Sequence, residues 1–250
     1  MNIRQITHAS DIEDTMAIQK AAWGARDIDL VPGHILKGLT DNGSLILGAY
    51  EGEEMLGYVL CIPTDQPAVH LAHMMGVHPD HQQSDVGGSL LRELVTRARE
   101  RGVEKLVWTF DPLESVNAKL YFHKMGAVAR RYVPDYYIMH GSRAHAGLPA
   151  DRFKVELFVA EELKPKFSEE SREVWIPSNI LELKEQSLNE ARVWREKTRA
   201  IFTKYVNTEG FLVADFVYQK GEPQGYYLLK QEAASVHRTL RKKSGPGGTG

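Results

Sequence analysis

A single cysteine, Cys61, stands in 250 residues, so no intramolecular disulfide can staple this chain. Its apolar, strand-like surroundings read as those of a buried structural thiol, and a reducing compartment fits that reading. An excess of charge is also lacking. Lys plus Arg number 31 against 33 Asp plus Glu, a net charge of -2, which removes any general attraction to polyanions and argues against nucleic acid as a partner. No window approaches the roughly 20 consecutive apolar residues of a membrane span, and the opening MNIRQITHASD has no apolar signal core. The expectation is a soluble, cytoplasmic protein with no membrane partner. Internal repeats and a G-x-S-x-G nucleophile elbow are absent as well. His70, His73, His78 and His81 come from a strand and a loop without the paired helical spacing of a zinc site, so no metal is expected.

What remains is ample for a core: 42% of the residues are hydrophobic, enough for one large domain or a medium one with a smaller companion. Asn2 to Thr7 predicts a strand, and Ser10-Asp11 caps an amphipathic helix through Ile12, Met16, Ile18 and Ala22. Trp23, Asp27, Asp29 and Leu30 form a mixed loop, either a solvated connector or a lip over a substrate site. Ser44 to Tyr50 and Met55 to Ile62 read as a hairpin across Glu51-Gly52-Glu53-Glu54. Val69 to Val77 is a further strand, and Lys105 to Phe110 a short apolar one reached through a helix, which implies a parallel crossover. A helix from about Ser115 to Lys124 closes at Gly126, and strands follow at Ala127 to Val133 and Phe153 to Val159. KPKFSEESR reads as a charged connector and a soft boundary. Beyond it come a helix from Leu188 to Val206, a hairpin of Phe211 to Tyr218 with Gln224 to Leu229 about Gly221, and an unstructured tail RKKSGPGGTG.

The stretch VHLAHMMGVHPDHQQSDVGGSLL, Val69 to Leu91, is a strand, a loop and a helix start. Helix starts present unsatisfied N-H groups and the positive end of the macrodipole, so this one is a candidate site for a phosphorylated ligand. The arrangement resembles the GNAT superfamily of acyl-CoA-dependent N-acyltransferases. There the strand ends V-x-P before (Q/R)-x-x-G-x-(G/A). Here Val77-His78-Pro79 matches, Gln82 takes the first motif position and Gly87 the last, with Gly88 and Ser89 at the first helical positions. Asp85 replaces the middle glycine, and its charge beside a polyanion is expected to weaken CoA binding. NAKLYFHKMGA resembles a second family region, with Asn117 as a hydrogen-bond partner for pantetheine. Four residues before Gly126, the place of the tyrosine that protonates the departing thiolate, stands Phe122. Tyr121 is one residue off, and the usual general acid is expected to be absent. VWTFDPLESVNA and GLPADRFKVELFV also resemble a subgroup of predicted acetyltransferases with a carboxy-terminal extension.

The resemblance implies an α/β (α+β mixed) fold, a splayed mixed sheet flanked by helices. The expected layout is an acyltransferase domain over 1-160, an extension packed on it over 161-240 and a tail over 241-250. It implies acetyl-CoA or another acyl-CoA as co-substrate and direct attack by a primary amine of a small molecule. The backbone near Met75 and Val77 would serve pantetheine and the oxyanion. Strand alternation puts Leu71, His73, Met75 and Val77 on one face, and His73 is the first choice for the base. Asp111, at the end of a parallel strand, is the second, and Glu114 a third carboxylate. Tyr132, Tyr136 and Tyr137 line an acceptor pocket or belong to the core. Two other readings stay open: a GNAT-like CoA-binding or regulatory module that has lost turnover, and a protein N-acetyltransferase. The extra strands allow a homodimer.

Overall fold

The structure is a computed structural model that describes residues 1-82, 84-137, 147-217 and 224-232. The turn about Gly221, the tail from 241 and the start of the run from Arg143 lie outside the described residues.

In the amino-terminal half, apolar alternation in the sequence becomes a sheet buried on both faces. β2 (Leu45–Glu51) and β3 (Glu54–Pro63) form the expected hairpin, flanked by β1 (Asn2–Gln5) and β4 (Val69–Val77). Leu45, Leu47 and Ala49 face one core, and Ile46 and Tyr50 the other. The second, smaller core is closed by α1 (Ala9–Trp23) and α2 (Gly33–Asp41). The expected Ser10-Asp11 cap is not made: Asp11 instead takes both ends of the Arg4 guanidinium at 2.6 and 2.7 Å. The larger core lies under α3 (Val86–Glu100), whose Leu90, Leu91, Leu94 and Ala98 form its apolar stripe. Cys61 is buried there, and burial pushes its thiol up to about 12, so it is inert.

After α3 come β5 (Lys105–Phe110), α4 (Ser115–Ala118) and a π-helical segment over Lys119–Lys124. β6 (Val128–Val133) and β7 (Arg152–Phe158) then pair antiparallel, with Tyr132 opposite Phe153. The residues expected to form a charged connector are instead β8 (Phe167–Ile176). This strand is the last in the sheet, and Glu169, Glu170, Arg172 and Glu173 are the charges that keep an exposed edge from pairing with another chain. α5 (Ile180–Gln186), α6 (Leu188–Phe202), β9 (Phe211–Val217) and β10 (Gln224–Gln231) complete the chain.

Among the described residues ten strands make one sheet in the order β1-β2-β3-β4-β5-β7-β6-β9-β10-β8, in which only β4 with β5 is parallel. The extra strands thus extend the sheet within the chain, β9 meeting β6 at Val213 and Ala129. An aromatic cluster ties that extension down. Phe153 of β7 lies 4.7 Å from Phe202 of α6 and 5.5 Å from Tyr226 of β10, edge to face. No helix among the described residues is long and apolar enough to cross a membrane.

Candidate active site

The parallel pairing of β4 with β5 is short. β4 and β5 are joined only at Val69 with Lys105, His70 with Leu106 and Leu71 with Val107. β4 continues to Val77 and β5 to Phe110 without pairing to each other, while β3 and β7 hold their outer edges. The sheet therefore parts into a wedge whose inner edges present backbone groups that a ligand can satisfy. Trp108, the first β5 residue past the last pair, has its indole N-H buried without a partner.

The phosphate-loop candidate stands at the wide end of this wedge. Gln82 donates to the Val77 carbonyl at 3.2 Å, folding the loop back on the strand, and the first α3 hydrogen bond runs from Ser89 N to Asp85 O at 2.9 Å. The amides of Val86 to Gly88 precede it, as at any helix start. A methyl group at Gly87 would touch Val77, Met75 and Leu120 at 3.6 to 3.8 Å, so the first turn of α3 lies close over β4. At Gly88 a methyl group would meet the Asp85 carboxylate at 2.5 Å. Gly88 leaves the room into which Asp85 folds.

Asp85 is not a bare charge. Its carboxylate is paired with Arg92, and Lys124 Nζ lies 3.2 Å away, with the Arg92 hydrogen bond first among the causes that hold its pKa below the usual range. Arg92 also reaches Ser89 Oγ at 2.9 Å. The two cations offset the Asp85 charge at the helix start, and with Asp80 in the same loop the charges balance. Neither was singled out by sequence, although Arg92 follows Asp85 by two helical turns.

His73 sits at an irregularity that the alternation did not anticipate. Leu60 pairs with Met74 but Cys61 pairs with Ala72, which leaves His73 as the extra residue of a β-bulge. The bulge resets the alternation: Ala72 joins Met75 and Val77 on the α3 face, while Met74 packs with the α1 core. The grouping expected from strict period two fails at that point. His73 is exposed at the wedge, two residues past the last β4-β5 pair, and desolvation by its surroundings lowers its pKa. A neutral imidazole near pH 7 follows.

The π-helical segment corrects the expectation for Tyr121. Met125 N bonds to Leu120 O at 3.1 Å and Ala127 N to Tyr121 O at 3.0 Å, so the turn before Gly126 holds more residues than an α-helical one. Gly126 N keeps the α-type bond to Phe122 O at 3.1 Å, while within the wound segment Tyr121, five before Gly126, faces β5. Phe122 is turned into the core against Phe153 and Tyr226. Tyr121 packs on β5, 5.0 Å from Trp108 and 5.3 Å from Phe110. Burial and then the charge of Glu114 push its phenol up, which keeps it protonated.

Asp111 is already engaged. It is 3% exposed, bonds Arg195 of α6 at 2.5 Å, accepts the Leu113 amide at 2.9 Å and lies 3.7 Å from Arg152. Burial alone would raise its pKa, but Arg195 brings it below the usual value. Glu114 beside it is pushed up by desolvation and then by the Asp111 charge, and accepts Asn117 Nδ2 at 2.5 Å. Asn117 is half-buried at the start of the helical stretch that carries Tyr121. Arg195 was missed by sequence, although an arginine between Ala191 and Thr198 on the packed stripe of α6 marks it. Among the described residues no group of three His, Cys, Asp or Glu is placed to hold a metal ion.

On the opposite face from α3, Trp23 of α1 lies over Gly76, and Tyr137 reaches Thr109 Oγ1 at 3.4 Å. Aromatic groups thus overhang both edges of the wedge. Tyr136 and Tyr137 are 38% and 41% exposed, whereas Tyr132 is in the core.

Residues 12–127 match the family model described as Acetyltransferase (GNAT) family. Several solved structures share the architecture. yncA of Salmonella typhimurium, solved with its cofactor acetyl-CoA, superposes with a TM-score of 0.54 at 20% identity over 66% of this chain and 98% of its own. The ribosomal-protein alanine N-acetyltransferase of Escherichia coli gives 0.52 at 16%, over 65% and 98%. The aminoglycoside N-acetyltransferase of Enterococcus faecium gives 0.51 at 12%, over 66% and 100%. No curated protein matches by sequence.

Proposed function

We propose that the chain, through the residues 12–127 that match the GNAT acetyltransferase family, moves an acetyl or larger acyl group from acyl-CoA to the primary amine of a small molecule by direct attack. The observation that carries this reading is the wedge between β4 and β5 with a helix start at its wide end. The parts suit acyl-CoA as co-substrate. Backbone edges at Met75 and Val77 and the orphan Trp108 N-H suit an amide-bearing arm, with Asn117 near its path. Gln82, Gly87, Gly88 and Ser89 shape the turn for a diphosphate, and Arg92 and Lys124 offset the Asp85 charge there.

His73 takes the proton from the ammonium form of the acceptor, directly or through water, once the amine stands at the bulge. The freed lone pair forms the new N-C bond as the C-S bond breaks. Backbone N-H groups along β4 bear the developing oxyanion. Tyr121 passes its phenolic proton to the departing sulfur and regains one from the new amide nitrogen, which sheds its second proton as the tetrahedral centre collapses. Asp111 is assigned a structural part, since a buried carboxylate paired to Arg195 has no free oxygen to act as base. Paired Asp85 and a Tyr121 packed against β5 support turnover over a binding module without it. Trp23 and Tyr137 above the wedge suit a small acceptor better than the surface of a folded protein. Cytoplasmic placement remains part of this reading, with no nucleic acid or membrane partner.

The test has two steps. CoA and acetyl-CoA at millimolar concentration are expected to raise the melting temperature, because a ligand bound only by the folded state adds about 2.7 kcal/mol at a hundred times its Kd. Thiol release from acetyl-CoA with a panel of primary amines follows. No shift with either nucleotide sinks the proposal, and a shift with no thiol release from any amine leaves only a binder.

A further inference from the structure

We propose that the acceptor amine carries an anionic group, a carboxylate or phosphate, held on the open face of the sheet by Lys154 and Arg131. The inference rests on the acyltransferase reading and names the substrate class for that same site. Along β5, Trp108 and Phe110 face the large core, which turns Thr109 the other way. Across the sheet Thr109 pairs with Lys154 of β7, and Lys154 with Arg131 of β6. The three make one row on the face opposite α3, starting at the edge of the wedge.

Charge on this face is uneven. Glu156, one step along β7 on the same face, is taken by Lys105 at 3.1 Å and Arg130 at 2.8 Å. Among the described residues no carboxylate lies within ion-pair distance of Lys154 or Arg131, and both side chains are exposed. The opposite lip adds no net charge, because Lys20 pairs with Asp27 and Arg26 with Asp29, each at 2.7 Å. A cationic amine therefore meets a positive approach unless it brings its own anion. Tyr136 and Tyr137 stand over the start of this row. Tyr137 touches Thr109, and Lys154 Nζ lies 5.5 Å from the Tyr136 ring. Their rings and hydroxyls form a wall along which an amine reaches toward His73 while its anionic end stays on Lys154 and Arg131.

The test compares 6-aminohexanoate, its carboxamide and 6-aminohexyl phosphate, long enough to cross two strands, as acceptors in the thiol-release assay, in the wild type, Lys154→Glu and Arg131→Glu. Wild type is expected to favour an anionic acceptor over the carboxamide, and each reversal to lower that kcat/KM ratio by about tenfold, less so at high salt. Because the ratio is taken within one variant, a partly folded preparation does not distort it. Lys154→Gln gives a milder change of the same sign, and Lys37→Glu on α2 gives none. Whichever of the two anionic acceptors loses more identifies carboxylate or phosphate. Ratios within about twofold of wild type in both reversals overturn the inference while leaving the acyltransferase reading intact. Thiol release from no amine at all overturns both.

Discussion

Arg195→Met keeps an unbranched apolar stem in the core and removes the charge that faces Asp111. Both native side chains are almost fully buried, 1% and 3% exposed, with their closest atoms 2.5 Å apart. Removing one partner from such a pair costs about 3 to 5 kcal/mol, because the other charge is left alone in a poorly solvated site. Two features point to the lower end. Asp111 keeps Arg152 at 3.7 Å and the Leu113 amide at 2.9 Å. Nε and Nη1 of Arg195 have no hydrogen-bond partner, so part of the arginine's own desolvation is uncompensated and is relieved by the change. A loss of about 3 kcal/mol corresponds to a fall in Tm of roughly 6 to 12 °C for a chain of this length. The loss also depends on pH. In the wild type the folded pKa of Asp111 lies below its ordinary value, so the pair stabilises the fold at neutral pH and that contribution disappears as acid titrates the carboxylate. Without Arg195, burial dominates and the folded pKa rises above the unfolded one. The variant therefore loses less as pH falls, and the gap narrows between about pH 7 and about pH 4, near the ordinary carboxylate value. Urea unfolding at the two pH values reads both effects. A gap under about 1 kcal/mol, or an equal gap at both pH values, refutes the reasoning.

Three further outcomes are expected. With His73 held neutral by desolvation, the acid limb of kcat/KM falls below the ordinary histidine value of 6.5, and His73→Ala removes that limb with little change in CoA affinity; equal losses of turnover and affinity would mark His73 as structural. Tyr121→Phe lowers kcat by about tenfold to a hundredfold, near the small end for general acids because a thiol of pKa about 8.5 leaves fairly well unaided; an unchanged kcat in single-turnover kinetics would remove Tyr121 from the reaction. Asp85→Gly frees Arg92 and Lys124 for the phosphates and tightens CoA binding at low salt, an advantage that shrinks as salt rises. Calorimetric titration showing unchanged or weaker binding would count against a diphosphate at that loop.

The elements carrying strong periodicity were legible: the β2-β3 hairpin, the crossover from β4 through α3 to β5, and the loop between Val77 and Gly87 follow from apolar spacing and glycines. What escaped had a physical reason in each case. β8 is an edge strand whose charges read as a connector, because nothing covers one side of it. The bulge at His73 and the π-helical turn at Tyr121 each insert one residue into a regular period. Pattern reading assumes the period is unbroken, so it put Ala72 on the wrong face and passed over Tyr121. Arg195 and Lys124 act on Asp111 and Asp85, 84 and 39 positions away, and such pairings exist only once the chain is folded.

Hydrogen exchange with and without acetyl-CoA tests the central claim, that the wedge between β4 and β5 receives the acyl donor. Slower exchange is expected in the stretch of β4 from Ala72 to Val77 that β5 leaves open and in the first turn of α3 from Val86 to Ser89, with β9 and β10 unchanged. Acetyl-CoA that binds while leaving both stretches unprotected would contradict it.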